Sequence, residues 1–199
     1  MELGVVITIA LIVTGVSLPT LTRAINNARL KSSANSIASI YQQARLRAAQ
    51  DDTYYEVIAT RAGAAAPARV CVDLNGDGVC QNTEPVAVLP PQITVSNIGV
   101  PVPLPGADLG FNLPVNTENS VMYNQQNMSV PGLGMNSRGM PCQRISSTSA
   151  CNQSIEWVQY VQWQNSGNNN LYAAVTVSPT GRVRVWTYTN AGNGNGSWQ

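Results

Sequence analysis

Residues 1–24, MELGVVITIALIVTGVSLPTLTRA, decide how the rest of this chain is read. After Glu2 no charge appears until Arg23, and then Arg29 and Lys31 follow closely. The polar residues from Leu3 to Leu21, Thr8, Thr14, Ser17 and Thr20, are of the kind that bond back to their own helix. Roughly 20 apolar residues span a bilayer, so Leu3 to Leu21 predict a transmembrane helix. A cleaved signal peptide carries its positive charge ahead of the apolar run, whereas here the charge follows it. Past Leu30, the residues Ala34, Ile37, Tyr41, Ala44 and Ala48 recur at steps of four and three, which is one apolar stripe on a helix. The expectation is a single helix from Glu2 to about Gln50, half in lipid and half against a globular domain. It should bend or loosen near Pro19, where a backbone hydrogen bond is lost. Nothing local neutralises Glu2, and a lone carboxylate at membrane depth needs a partner. A positive charge from outside the chain, such as the N-terminal amine of a neighbouring subunit, would supply one.

The chain has 199 residues, of which 44% are hydrophobic, concentrated at the start, and only 11% are charged. The net charge of +1 offers no global attraction to nucleic acid or lipid, so any such partner must be met by local patches. Histidine is absent, which removes the commonest general base, most zinc sites and the histidine-dependent nucleophile systems. The single lysine, Lys31, lies at the membrane flank, and the few acids suggest no acid/base pair. The chain is therefore not read as an enzyme, and no small-molecule substrate is expected. Four cysteines fall in two close pairs, Cys71 with Cys80 and Cys142 with Cys151. Local disulfides in an oxidising compartment are the favoured reading, with free buried thiols as the alternative.

After Gln50 the helical pattern stops. TYYEVIAT (53–60), ARVCV (68–72), EPVAVLP (84–90) and QITVSNIGV (92–100) read as short strands. So do SIEWVQYVQWQ (154–164), LYAAVTVS (171–178) and RVRVWTYT (182–189), the last two joined by a PTG turn that signals a hairpin. Residues 96–134 read as a loop-rich insert, and 190–199, NAGNGNGSWQ, as a flexible tail. The fold class expected is α+β. A membrane-spanning helix segment (1–22) continues as an amphipathic helix (23–50) packed on an antiparallel β-sheet domain (51–189).

A short apolar stretch holding one glutamate, with a helix-breaking proline seventeen residues on, resembles the start of the type IV pilin superfamily, here Glu2 and Pro19. In that family a basic leader, a glycine and a few further residues precede the glutamate. Here it is the second residue, so either the chain is trimmed or its start lies upstream; with Met1 as the start there would be no prepilin-peptidase site. RVCVDLNGDGVCQNTEPV (69–86), GMNSRGMP (134–141) and VTVSPTGRVRV (175–185) are similar, in order, to segments of the GspH/FimT minor pilins and pseudopilins. The resemblance covers about 1–95 and 134–188 and does not account for the cysteine pairs. It implies the pilin fold and a structural subunit of a type IV pilus or a type II secretion pseudopilus. Such a subunit is held in the bacterial inner membrane with its domain in the periplasm, then packed among other pilins in a filament. Glu2 and Pro19 would be its assembly residues.

Two further motifs carry binding ideas. DLNGDGVCQNTE, Asp73 to Glu84, fits the twelve-position calcium-loop pattern, with oxygens from Asp73, Asn75, Asp77 and Glu84 and a sharp turn at Gly78. The flanks are those of strands, and a plain turn pinned by Cys71–Cys80 fits equally. If 182–188 is a strand, Arg182, Arg184, Trp186 and Tyr188 share one face and Val183, Val185 and Thr187 the other, against the core. Guanidiniums in line with aromatics suit phosphate contact and base stacking. Some members of the FimT branch bind DNA during uptake, and the resemblance carries that role to Gly181, Arg182 and Arg184. The alternative function is thus a pilus-associated DNA-binding pilin. A solvated strand face is the plainer reading.

Overall fold

The computed structural model describes residues 2–60, 67–95, 121–123, 126–127, 133–143, 151, 156–163, 171–190 and 196–199; side chains at 2–3, 5–6, 8–20, 121–127, 143 and 189–190 lie outside that description. One helix, α1 (Glu2–Gln50), runs 49 residues, unbroken across Pro19. The bend expected there and the environment of Glu2 fall outside the described side chains. Among the described residues no helix is long and apolar enough to cross a membrane, and most of the apolar run of 3–20 is not included in that statement. The helix ends where Asp52 takes a left-handed conformation (φ 49°) and the Thr53 amide donates to the Ala48 carbonyl, which satisfies an otherwise orphaned acceptor.

Among the described residues, twelve short strands follow. The smaller sheet holds β1 (Tyr55–Thr60), β2 (Arg69–Asp73), β3 (Val86–Val88), β7 (Leu133–Met135) and β8 (Pro141–Gln143), in the order β3-β2-β1-β7-β8. The larger holds β4 (Ile93–Val95), β5 (Val121–Tyr123), β6 (Gln126–Asn127), β9 (Trp157–Trp163), β10 (Leu171–Val177), β11 (Val183–Asn190) and β12 (Gly196–Trp198). Its order is β12-β11-β10-β9-β5-β6, with β4 on β9 beside β5. β5 pairs with 157–159 and β4 with 161–163, so the two share one edge of β9. All pairings are antiparallel. The α+β expectation therefore holds, with two sheets where one was expected.

The stripe read from the sequence is the stripe that packs. Leu30, Ala34, Ile37, Tyr41, Ala44 and Ala48 are all between 0% and 1% exposed. They meet β9, β10 and β11 of the larger sheet and β1, β2, β3 and β7 of the smaller. Alanine at three of the six lets the helix backbone approach both sheets. Tyr41 packs on the larger sheet, its ring 5.4 Å from that of Trp157 and its hydroxyl donating to Gln159 Oε1. Burial pushes the Tyr41 hydroxyl well above the ordinary tyrosine pKa, so it stays a neutral donor.

Two expectations change in detail. Part of the 96–134 insert is strand, since β5, β6 and the start of β7 lie within it; residues 96–120 fall outside the described set. The tail read as flexible carries β12, which pairs Tyr188, Thr189 and Asn190 with Trp198, Ser197 and Gly196. The amides of Thr187 and Gln199 extend the ladder by donating to each other's carbonyls.

β7 crosses β1 at a point that admits no side chain. A Cβ on Gly134 would lie 2.0 Å from the Tyr55 carbonyl oxygen and 2.8 Å from the Tyr54 ring. Gly134→Ala is expected to lower the midpoint of urea unfolding by an amount equivalent to about 1–3 kcal/mol, because the strand pair must shift to admit it. Far-UV circular dichroism against urea, on the full chain in detergent, measures this.

Candidate functional site

The face of α1 turned away from the domain has its own pattern. Ile7, Leu21, Ile25 and Leu46 are exposed, and Leu46 most of all at 69%. At 100° per residue these four fall within about 60° of one another and roughly opposite the buried stripe. Between Leu21 and Leu46 the outward line continues through Ala28, Ser32, Ser36, Ser39 and Gln43, at steps of four and three, with no charged residue on it. Its polarity is largely spent within the helix: the Ser36 hydroxyl donates to the Ser32 carbonyl at 3.0 Å and the Gln43 amide to the Ser39 hydroxyl at 3.3 Å. Arg23, Arg29, Lys31, Arg45 and Arg47 stand off this line. The result is a narrow, uncharged seam of small and aliphatic side chains, of the kind that lets a second helix approach closely.

A second concentration of features lies where α1 ends. The turn of Asn136 to Met140 closes through Gly139 (φ 69°) and the β10–β11 turn through Gly181 (φ 78°). A Cβ on Gly181 would sit 2.6 Å from the Gly139 carbonyl oxygen, and one on Gly139 would sit 2.9 Å from Arg45 Cγ. Both turns therefore need glycine for conformation and for space. Arg45 holds them, its Nη1 donating to the Gly181 carbonyl at 3.2 Å. Arg138 and Arg182 are exposed on these two touching turns. Sequence reasoning did not identify Arg45, nor that the two turns meet, because neither is signalled by any local pattern.

The strand after the second turn divides as expected in direction but not in exposure. Val183 and Val185 pack on the main core. Arg182 is exposed and Arg184 half-buried, its guanidinium carbon 5.7 Å from the Trp186 ring centre. Trp186 and Tyr188 are only 9% and 7% exposed. They belong to a second core with Val158, Tyr160, Tyr172, Ala174 and Trp198, on the face of the larger sheet opposite α1. Trp186 also donates its Nε1 to the Thr176 hydroxyl at 2.9 Å. Their rings are thus committed to packing, and the expected base-stacking surface is not presented.

The Asp73–Glu84 loop is closed by its own side chains. The two oxygens of Asp73 accept from the Gly76 and Gly78 amides at 2.7 and 2.8 Å, and those of Glu84 from Leu74 and Gln81 at 2.9 and 3.0 Å. Asn75 accepts from the Asp77 amide, and Asp77 from the Val79 amide and the side chains of Asn75 and Gln81. These bonds use part of the acceptor capacity of the carboxylates, and among the described residues no group of three or more acidic, cysteine or histidine side chains is gathered to hold a metal. The Cys71–Cys80 disulfide pins the loop to β2, and Cys142–Cys151 ties β8 to the next segment, with Cα–Cα distances of 5.6 and 5.5 Å.

Comparison with known proteins finds no matching family model, no matching curated protein and no matching solved structure.

The loop's acid behaviour follows from its hydrogen bonds. The Val79 amide, with help from Asn75 and Gln81, holds the Asp77 carboxyl below the usual aspartate range. A carboxyl depressed by folding adds stability above its unfolded pKa, near 4, and that contribution is lost as pH falls through its folded value. The protection of the Val79 amide, taken relative to its intrinsic exchange rate at each pH, is expected to fall below that pH, and Asp77→Asn to flatten this acid dependence, as read by hydrogen exchange between pH 2 and 6.

Proposed function

We propose that this chain is a structural subunit of a helical filament, a minor pilin or pseudopilin of the GspH/FimT type, assembled through α1. The outward seam of α1 is the observation that carries the reading. One side of the helix is committed to the two sheets, while the opposite side is uncharged and exposes Leu21, Ile25 and Leu46. Full burial of such side chains favours association by about 1.5–3 kcal/mol each. The helix–sheet architecture agrees with a pilin-type domain, and the paired cysteines agree with passage through an oxidising periplasm. In this account the apolar half of α1 stores the subunit in the inner membrane, and a cation from a neighbouring subunit neutralises Glu2 on assembly.

A single charge on the seam should prevent packing while leaving the domain intact. Ile25→Glu, Leu46→Glu and, separately, Glu2→Leu are expected to reduce recovery of the chain in sheared filaments at least tenfold. Its level in the membrane fraction and its two disulfides should be unchanged. Mass spectrometry of both fractions measures this, and wild-type recovery of all three variants would overturn the reading.

A second reading, capture of DNA, is favoured by Arg138 and Arg182 on touching turns with Arg184 close behind. The contact would be with phosphate alone, because Trp186 and Tyr188 are enclosed. So few cations give weak, salt-sensitive binding. Arg138→Ala with Arg182→Ala is expected to abolish a gel shift of double-stranded DNA seen at low salt with the wild-type chain.

A further inference from the structure

β12 is a small element with an exacting fit. It is three residues long and is joined to β11 through residues 191–195, Ala-Gly-Asn-Gly-Asn. That link carries no apolar side chain larger than alanine, and the strand itself makes contacts with the rest of the sheet. Three of these stand out. The ladder to Tyr188, Thr189 and Asn190 is extended by the reciprocal Thr187–Gln199 pair. Trp198 closes the second core, its ring 5.4 Å from that of Tyr188 and 6.1 Å from that of Tyr160. Gly196 lies directly under Tyr188, where a Cβ would come within 2.0 Å of the ring carbon Cζ and the hydroxyl oxygen. Register and sequence are therefore locked together: glycine under Tyr188 and tryptophan two residues on.

The closed arrangement also carries a cost. Trp198 Nε1 and the Tyr160 hydroxyl are buried with no hydrogen-bond partner among the described residues. A buried donor that no such residue satisfies costs free energy, which weakens the hold of β12.

We propose that the β11 edge and the aromatic pocket beside it form a strand-acceptor site. In the isolated chain it is filled by residues 196–199, and in a pair of chains by the same segment of a second copy. The occupant follows from the fit, because the site is moulded to this segment and a second copy brings it unchanged. Exchange preserves every contact of the closed form, so only the tethering differs between the two states. A short tether supplies an effective concentration on the order of millimolar. Exchange therefore becomes competitive only where copies are crowded together. The inference does not depend on the pilin reading, since the acceptor lies on the sheet face opposite α1 and far from its seam.

The test uses a fluorescein-labelled peptide of residues 190–199, so the decisive variants are made in the peptide and not in the protein. It is added to the full chain in detergent and, in parallel, to a chain ending at Asn190 whose folding is checked by circular dichroism. Saturable binding by fluorescence anisotropy is expected for both, at least tenfold tighter for the shortened chain, which lacks the internal competitor. Peptides with Gly196→Val or Trp198→Ala are expected to bind at least tenfold more weakly. If the shortened chain does not fold, the full chain at millimolar peptide gives the same comparison. Failure of the wild-type peptide to bind, or equal binding of the Gly196→Val peptide, would overturn the proposal and leave β12 as a permanent edge.

Discussion

Everything in this molecule depends on one helical stripe serving two sheets. From Leu30 to Ala48, the inward face of α1 touches strands of both sheets. Alanine suits close approach of the backbones, and Tyr41 packs on Trp157 of the larger sheet, its polar end engaged by Gln159. A charge anywhere on the stripe would be buried between the sheets with no water and no counterion. The 30–48 stretch therefore keeps its basic residues on its flanks, and the helix end is closed by backbone geometry at Asp52.

That arrangement leaves the opposite side of the helix available, and its composition differs from that of an ordinary solvated face. Exposed helix faces in soluble domains are usually rich in charge. Here alanine, three serines and glutamine lie between leucine and isoleucine at one end and leucine at the other, and the Ser36 hydroxyl turns back to the helix backbone. In the filament reading proposed above, such a helix would be enclosed twice, once within the chain and once between chains.

Much of this could be read in the linear sequence, and the limits have physical causes. The inward stripe was legible because α1 has only one buried face, so its period of 3.6 stands out. The β10–β11 hairpin was legible because Pro-Thr-Gly demands a turn and Gly181 takes a positive φ. β9 read poorly because both of its faces are covered: Trp157, Gln159 and Val161 face α1, while Val158 and Tyr160 belong to the second core, so no polar alternation is left. The same second core explains why Trp186 and Tyr188 looked available. What encloses them includes Trp198, set in a stretch of glycine and asparagine whose composition suggests no structure at all. The Asp73–Glu84 loop could be placed as a turn, but whether its carboxylates point at a cation or at backbone amides is not encoded in spacing.

The stacking of two glycine turns on Arg45 has a further consequence. Turn tips normally drift freely as sequences diverge, because each meets only solvent. Here the tip of one connection rests on the tip of another, and both lean on a guanidinium fixed to a rigid helix. A change of length or residue at 136–140 is felt at 178–182, far along the chain, and the reverse is equally true. These two connections can diversify only in concert, so among descendants of this chain they should form a single heritable unit.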